Sequence, residues 1–311
     1  MPKMLWYELW KELKFNHLIM SERTPKERTP EAENNLEKTL PKVVLHFMRH
    51  SSKEVDPDKK DANILLSEEG RRMAAEKFET AADIRHSHAV GSPRSRTQET
   101  AVSSMLKTPL GIEEISTRKQ RGLIGKSTID QRLISDINME NPSAYEQLYI
   151  ESYKAGKFFD FLVNESDAMS GDHSFSYSKA AAQIASIINE AIISAQRGAK
   201  MLEQTQRGTD SDHADTPEKF ERFLSTHGGI QECFLLKLVE KTKGVGARDE
   251  LIKIIGKDTF NELEGFDVIL SKQANAEQIR IIYKKADYIL DEIIDEAVIE
   301  EIMNDVRTTS S

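Results

Sequence analysis

The sequence predicts an α/β fold, three α/β/α layers around a mainly parallel central sheet, preceded by a helical N-terminal extension. Three observations carry this expectation. Short β-rich runs alternate with helical patterns after residue 42, as parallel sheets with crossover helices require. Three of these runs end in compact polar motifs, where such folds collect their ligands. A separate amphipathic stretch and a charged linker precede the first run.

Taken in order, Leu5, Trp6, Leu9, Trp10, Leu13 and Leu18 recur at helical spacing, which reads as an amphipathic helix docking on the chain's own core. Its polar face mixes Lys with Glu, unlike a membrane-surface helix. Residues 21–41 are charged and proline-punctuated and read as a linker. Residues 1–41 are therefore expected to form an extension, and 42–311 the main domain. Val43 to Met48 suits a central strand that ends at Arg49-His50. After a polar loop, Ser67 has the form of an N-cap, with Glu68 and Glu69 in the first turn of a helix running towards Ala82. A second strand is expected near His88 to Gly91, and a helix from Ser95 to Leu106. Residues 138–176 read as an insertion of short helices and loops. Ser178 to Gln196 places Ile184, Ile187, Ile188 and Ile192 on one helical face. Residues 203–217 read as a polar loop. Phe220 to Ser225 is a strand running into Thr226-His227-Gly228-Gly229, and Ile230 to Lys241 a helix. Phe266–Leu270 and Gln278–Tyr283 read as a hairpin, and Ala286 to Met303 as a last helix.

Composition excludes several function classes. The formal net charge of −9 disfavours nonspecific binding to nucleic acid or anionic membrane. No run is apolar long enough to span a bilayer, and Glu8, Lys11 and Glu12 interrupt the N-terminal apolar residues that a signal peptide would keep together. The single cysteine, Cys233, precludes an intrachain disulfide and a cysteine-based zinc site, and it sits in an apolar run as a buried thiol would. A reducing, cytoplasmic setting is the simple expectation.

Arg49-His50, Ser92 to Ala101 (SPRSRTQETA) and Ser225 to Gly229 (STHGG) all lie where an expected strand gives way to a loop or helix. Together with Leu66-Ser67-Glu68-Glu69-Gly70 they resemble, in order and in element, the four motifs of the histidine phosphatase superfamily, phosphoglycerate mutase-like branch. The resemblance spans Val43 to about Val239. It implies a phosphatase acting on a phosphorylated small molecule or a phosphoprotein, without cofactor or metal. It assigns the nucleophile to His50, which would carry a phosphohistidine. Arg49 and Arg96 would hold the phosphate oxygens with planar guanidinium forks, and His227 would donate to the transferring group. Gly228 and Gly229 would let the backbone approach the anion at a helix N-terminus.

The sequence also departs from that pattern. Ser51 stands where the family has glycine, and the mutase-like continuation is missing. The family's general-acid segment has its nearest counterpart in Asp130 to Asp136, which makes Asp136 the candidate acid, with a surface carboxylate as the alternative reading. A noncatalytic phosphate-binding scaffold and a phosphomutase remain alternative functions. His17, His46, His86, His88, His173 and His213 are expected on the surface or in packing, and the Asp-rich loop around His213 as solvated. Arg94 and Lys53 could flank the pocket or be solvated.

Overall fold

A computed structural model of the protein describes residues 41–56, 58–122, 126–135, 137–138, 141–173, 175–208, 219–256, 259–273 and 276–308. The expected N-terminal helix and linker, Asp136, and residues 209–217 of the polar loop lie outside the described residues.

The described strands form one seven-stranded sheet in the order β3-β2-β4-β1-β5-β6-β7. Here β1 is Lys42–Arg49, β2 Ser87–Gly91, β3 Lys126–Ile129, β4 Lys219–Thr226, β5 Gly265–Gln273, β6 Ala276–Lys285 and β7 Tyr288–Ile294. Strands β3, β2, β4 and β1 pair in parallel. Strands β5, β6 and β7 add an antiparallel wing, so parallel pairing belongs to the half of the sheet that carries the motifs. The expected hairpin is β5–β6.

Alternation along β1 sets the layers, because successive side chains point to opposite faces. Val43, Leu45 and Phe47 join the larger core. That core also takes the buried faces of α7 (Tyr177–Gly208), α8 (Ile230–Lys243) and α10 (Glu296–Thr308). Met48 joins a smaller core on the other face, with Ala101, Val102 and Met105 of α2 (Ser95–Leu106) and Ile115 of α3 (Ile112–Gln120). Helix α1 (Glu68–Glu76) packs beside α2. The insertion supplies α4 (Ala144–Lys154), α5 (Phe158–Asn164) and α6 (Ser166–Met169), and α9 (Val245–Ile255) follows α8. Among the described residues, no helix is long and apolar enough to cross a membrane.

Three boundaries differ from expectation. The helix that Ser67 caps, by accepting from the Gly70 amide at 2.9 Å, ends at Glu76. Phe78 then turns inward against His46 and Phe223. The helix over 178–196 runs on to Gly208, into the segment expected to be a loop. The last helix starts only at Glu296, because Tyr288–Ile294 pairs with β6 as a strand. Ile289 and Ile293 are spaced like one helical face, but a cross-strand bidentate Arg280–Asp291 pair and burial of Leu290 and Ile294 favour the ladder.

Candidate active site

Parallel pairing of β1 with β2 through β4 brings three strand exits side by side. Arg49 pairs with Thr226 and Gly91 with Ser225, so Arg49-His50, Ser92 and His227 leave the sheet at the same edge. The His50 amide donates to the Thr226 carbonyl at 2.9 Å. The His50 and His227 rings meet edge to face with centroids 5.2 Å apart.

His50 is 8% exposed, and its Nδ1 lies 2.7 Å from the Ser51 carbonyl. A carbonyl oxygen can only accept, so Nδ1 carries the proton and the lone pair of the neutral ring sits on Nε2. Burial, and then the charges of Arg96, Arg49 and Lys53, push its pKa down to about 3, against an opposing contribution from the Ser51 hydrogen bond. The ring is therefore neutral across the physiological range. Burial holds His227 well below the ordinary histidine value too, helped by His50, Arg96 and Arg94. Its Nε2 is 2.9 Å from Ser92 Oγ, which also accepts from the Arg94 amide at 3.2 Å.

Both arginines are anchored at one end. Arg49 Nη1 donates to Thr259 Oγ1 at 3.0 Å and to the Phe260 carbonyl. Arg96, 4% exposed, donates through Nη1 to the Asp61 carbonyl at 2.6 Å and through Nη2 to Asp61 Oδ2 at 2.9 Å. The Nε of each arginine is buried without a hydrogen-bond partner. Buried donors are rarely left so unless something else binds them. Arg94 is half-buried, and its charge reaches His227 and Arg96. Lys53 donates to Asp61 Oδ1 at 3.1 Å.

His50, Arg49, Arg96 and His227 thus share one locale, as expected. Gly228 has a second reason to be glycine, beside the close backbone approach to an anion, which stays an expectation. A Cβ on Gly228 would lie 2.2 Å from Thr259 Oγ1, the atom that holds Arg49, so its hydrogen side chain makes room for the arginine's anchor. Asp136, the candidate acid, lies outside the described residues, so its place relative to His50 stays an expectation. The insertion abuts the site: Phe158 Cζ would be 3.0 Å from a Cβ on Gly229. His46 and His88 are packing residues, as expected. His46 bridges Asp267 Oδ1 at 2.8 Å and Glu221 Oε1 at 3.3 Å, and His88 pairs with Thr128 Oγ1 at 3.0 Å.

Sequence reasoning missed the supporting carboxylates. Glu232 is fully buried and accepts from the Phe260 amide at 2.6 Å and the Gly229 amide at 2.8 Å. It ties the Arg49 anchor to the His227 loop. Burial pushes its pKa up to about 7, against those amides and Arg49. Its position, three residues after Gly229 at a helix start, was a readable capping signal. Glu99, also fully buried, accepts from the Leu66 and Ile112 amides at 2.7 and 2.9 Å. Asp61 carried no sequence signal, because its role exists only once its loop has closed.

An array of neutral imidazole lone pair and convergent, part-satisfied guanidinium donors can bind an oxyanion and attack its central atom. No family model matches the chain, and no curated protein does. Among solved structures the chain is similar to a mycobacterial glucosyl-3-phosphoglycerate phosphatase (16% identity, 75% of this chain and 91% of that one, TM-score 0.36). It is similar to mycobacterial hydrolase 1 (17% identity, 78% and 96% covered, TM-score 0.40). It is also similar to a Nakamurella protein assigned as the phosphohistidine phosphatase SixA (14% identity, 76% and 86% covered, TM-score 0.29).

Proposed function

We propose that this chain is a histidine-type phosphatase that hydrolyses a phosphomonoester or phosphoramidate through a phosphohistidine on His50. The observation that carries the reading is the state of His50. Its Nδ1 is committed to the Ser51 carbonyl, its ring is held neutral, and two buried guanidinium Nε groups lack acceptors. This arrangement supports reading His50 as a nucleophile beside an oxyanion site.

In this mechanism Nε2 of His50 attacks phosphorus, forming the N–P bond as the bond to the leaving oxygen or nitrogen breaks. Arg49 and Arg96 stabilise the charge spread over the nonbridging oxygens. His227, with Nε2 on Ser92, has Nδ1 left to serve the same oxygens. Asp136 is the proposed proton donor to the leaving group. Water then attacks phosphorus, the N–P bond breaks, and inorganic phosphate leaves with His50 restored. The substrate would be a phosphorylated metabolite or a phosphoprotein, selected by the insertion that abuts Gly229.

Turnover of a generic aryl phosphate by the wild type, compared with His50→Ala, tests the proposal. Turnover by the wild type and none by the variant is expected. Equal rates in the two proteins would overturn the assignment of His50. Tight phosphate binding with no turnover in either would favour the scaffold alternative.

A further inference from the structure

Asp61 lies in the loop that leaves His50 and returns to α1. The base of that loop is closed by an antiparallel bridge between Lys53 and Leu66, by the Ser67 amide donating to the Ser52 carbonyl at 3.0 Å, and by the Glu54 amide donating to the Leu65 carbonyl at 3.0 Å. Ile64 and Leu66 are buried, and fully buried Glu99 accepts the Leu66 amide. The returning strand is therefore fixed to α2. A single 3-10 turn at Asp61–Asn63 is held where it meets Arg96, in the first turn of that same helix.

Three groups of Asp61 are used at once. Its carbonyl and Oδ2 accept from Arg96 Nη1 and Nη2, and Oδ1 accepts from Lys53. Only an ionised carboxylate offers a separate oxygen to each cation. The outcome mirrors Arg49, whose Nη1 is held by Thr259 and Phe260. In both arginines the protein occupies one end of the guanidinium and leaves Nε buried and without a partner.

We propose that Asp61 is a positioning residue of the phosphoryl site: it clamps Arg96 by both Nη groups, which fixes the guanidinium beside His50, and it tethers Lys53 beside it. The inference rests on the phosphatase reading above. It assigns Asp61 no contact with substrate; the residue acts through Arg96. A carboxylate that instead competed with phosphate for Arg96 would have the opposite effect on affinity, which makes the two roles separable.

The test is a double-mutant cycle on the full chain, with Asp61→Ala, Arg96→Ala and the pair, read as competitive inhibition by inorganic phosphate and by vanadate. Thermal unfolding serves as a check that each variant is folded. Asp61→Asn, which keeps the shape and loses the charge, is the second variant. Asp61→Ala is expected to weaken phosphate and vanadate binding about tenfold and to raise KM in parallel. In the Arg96→Ala background the same substitution should change binding less than about twofold. Asp61→Asn should fall between the wild type and Asp61→Ala. Unchanged or tighter binding in Asp61→Ala would overturn the inference, as would a full loss on top of Arg96→Ala. If the wild type itself bound neither anion, the phosphatase reading would fail first, and that result is distinct from all the others.

Discussion

Acidification should destabilise this protein through His50 by an amount that its burial fixes. The ring has its ordinary value of 6.5 when unfolded and about 3 when folded. Below pH 6.5 the unfolded chain takes up a proton that the folded chain refuses. Stability is therefore full above the unfolded value, is lost as pH falls, and the loss is complete near the folded value. Between pH 7 and pH 4.5 the loss from this one group is about 2.5 kcal/mol. Urea unfolding of the wild type and of His50→Asn at the two pH values measures it. Other groups titrate in both proteins and largely cancel in the difference. The wild type should lose about 2.5 kcal/mol more than the variant. Equal losses would show that His50 is not held neutral, and the argument for a ready Nε2 lone pair would fall with it.

Two further outcomes follow from the same geometry. Gly228→Ala would drive a methyl group into Thr259, costing about 1–3 kcal/mol of stability by overpacking. It would also shift the Arg49 anchor, so kcat/KM should fall by about tenfold or more; a variant with normal stability and normal kcat/KM would contradict this. A 42–311 chain should keep the wild-type kcat, because every motif lies after Lys42; loss of activity in a folded 42–311 protein would place part of the site in the extension.

The parts legible in the sequence are those written locally. Ser67 and its two glutamates announce a helix start, and the cap bond forms as read. Val43 to Met48 reads as a buried strand because both of its faces are covered, one by each core. The four residues Arg49, His50, Arg96 and His227 were legible because each stands in a short motif at a strand or helix boundary. What was not legible depends on chain closure. Asp61 reaches Arg96 only when a loop folds back on Ser52. Thr259 and Phe260 reach Arg49 across about two hundred intervening residues, and nothing in their local pattern marks it. Strand β7 falls in the segment whose sequence reads as the start of the last helix, because pairing with β6, a nonlocal interaction, decides the conformation.

The central claim is a covalent bond between phosphorus and His50, and trapping that bond tests it most directly. The wild type would be mixed rapidly with a radiolabelled aryl phosphate and stopped in alkaline denaturant, since a phosphoramidate survives alkali and is cleaved by acid once its ring nitrogen is protonated. Label stable to alkali, labile to acid, absent from His50→Ala and mapped to the His50 peptide is the predicted result. Label that persists in His50→Ala, or that alkali removes as it would an acyl phosphate on a carboxylate, would contradict the account.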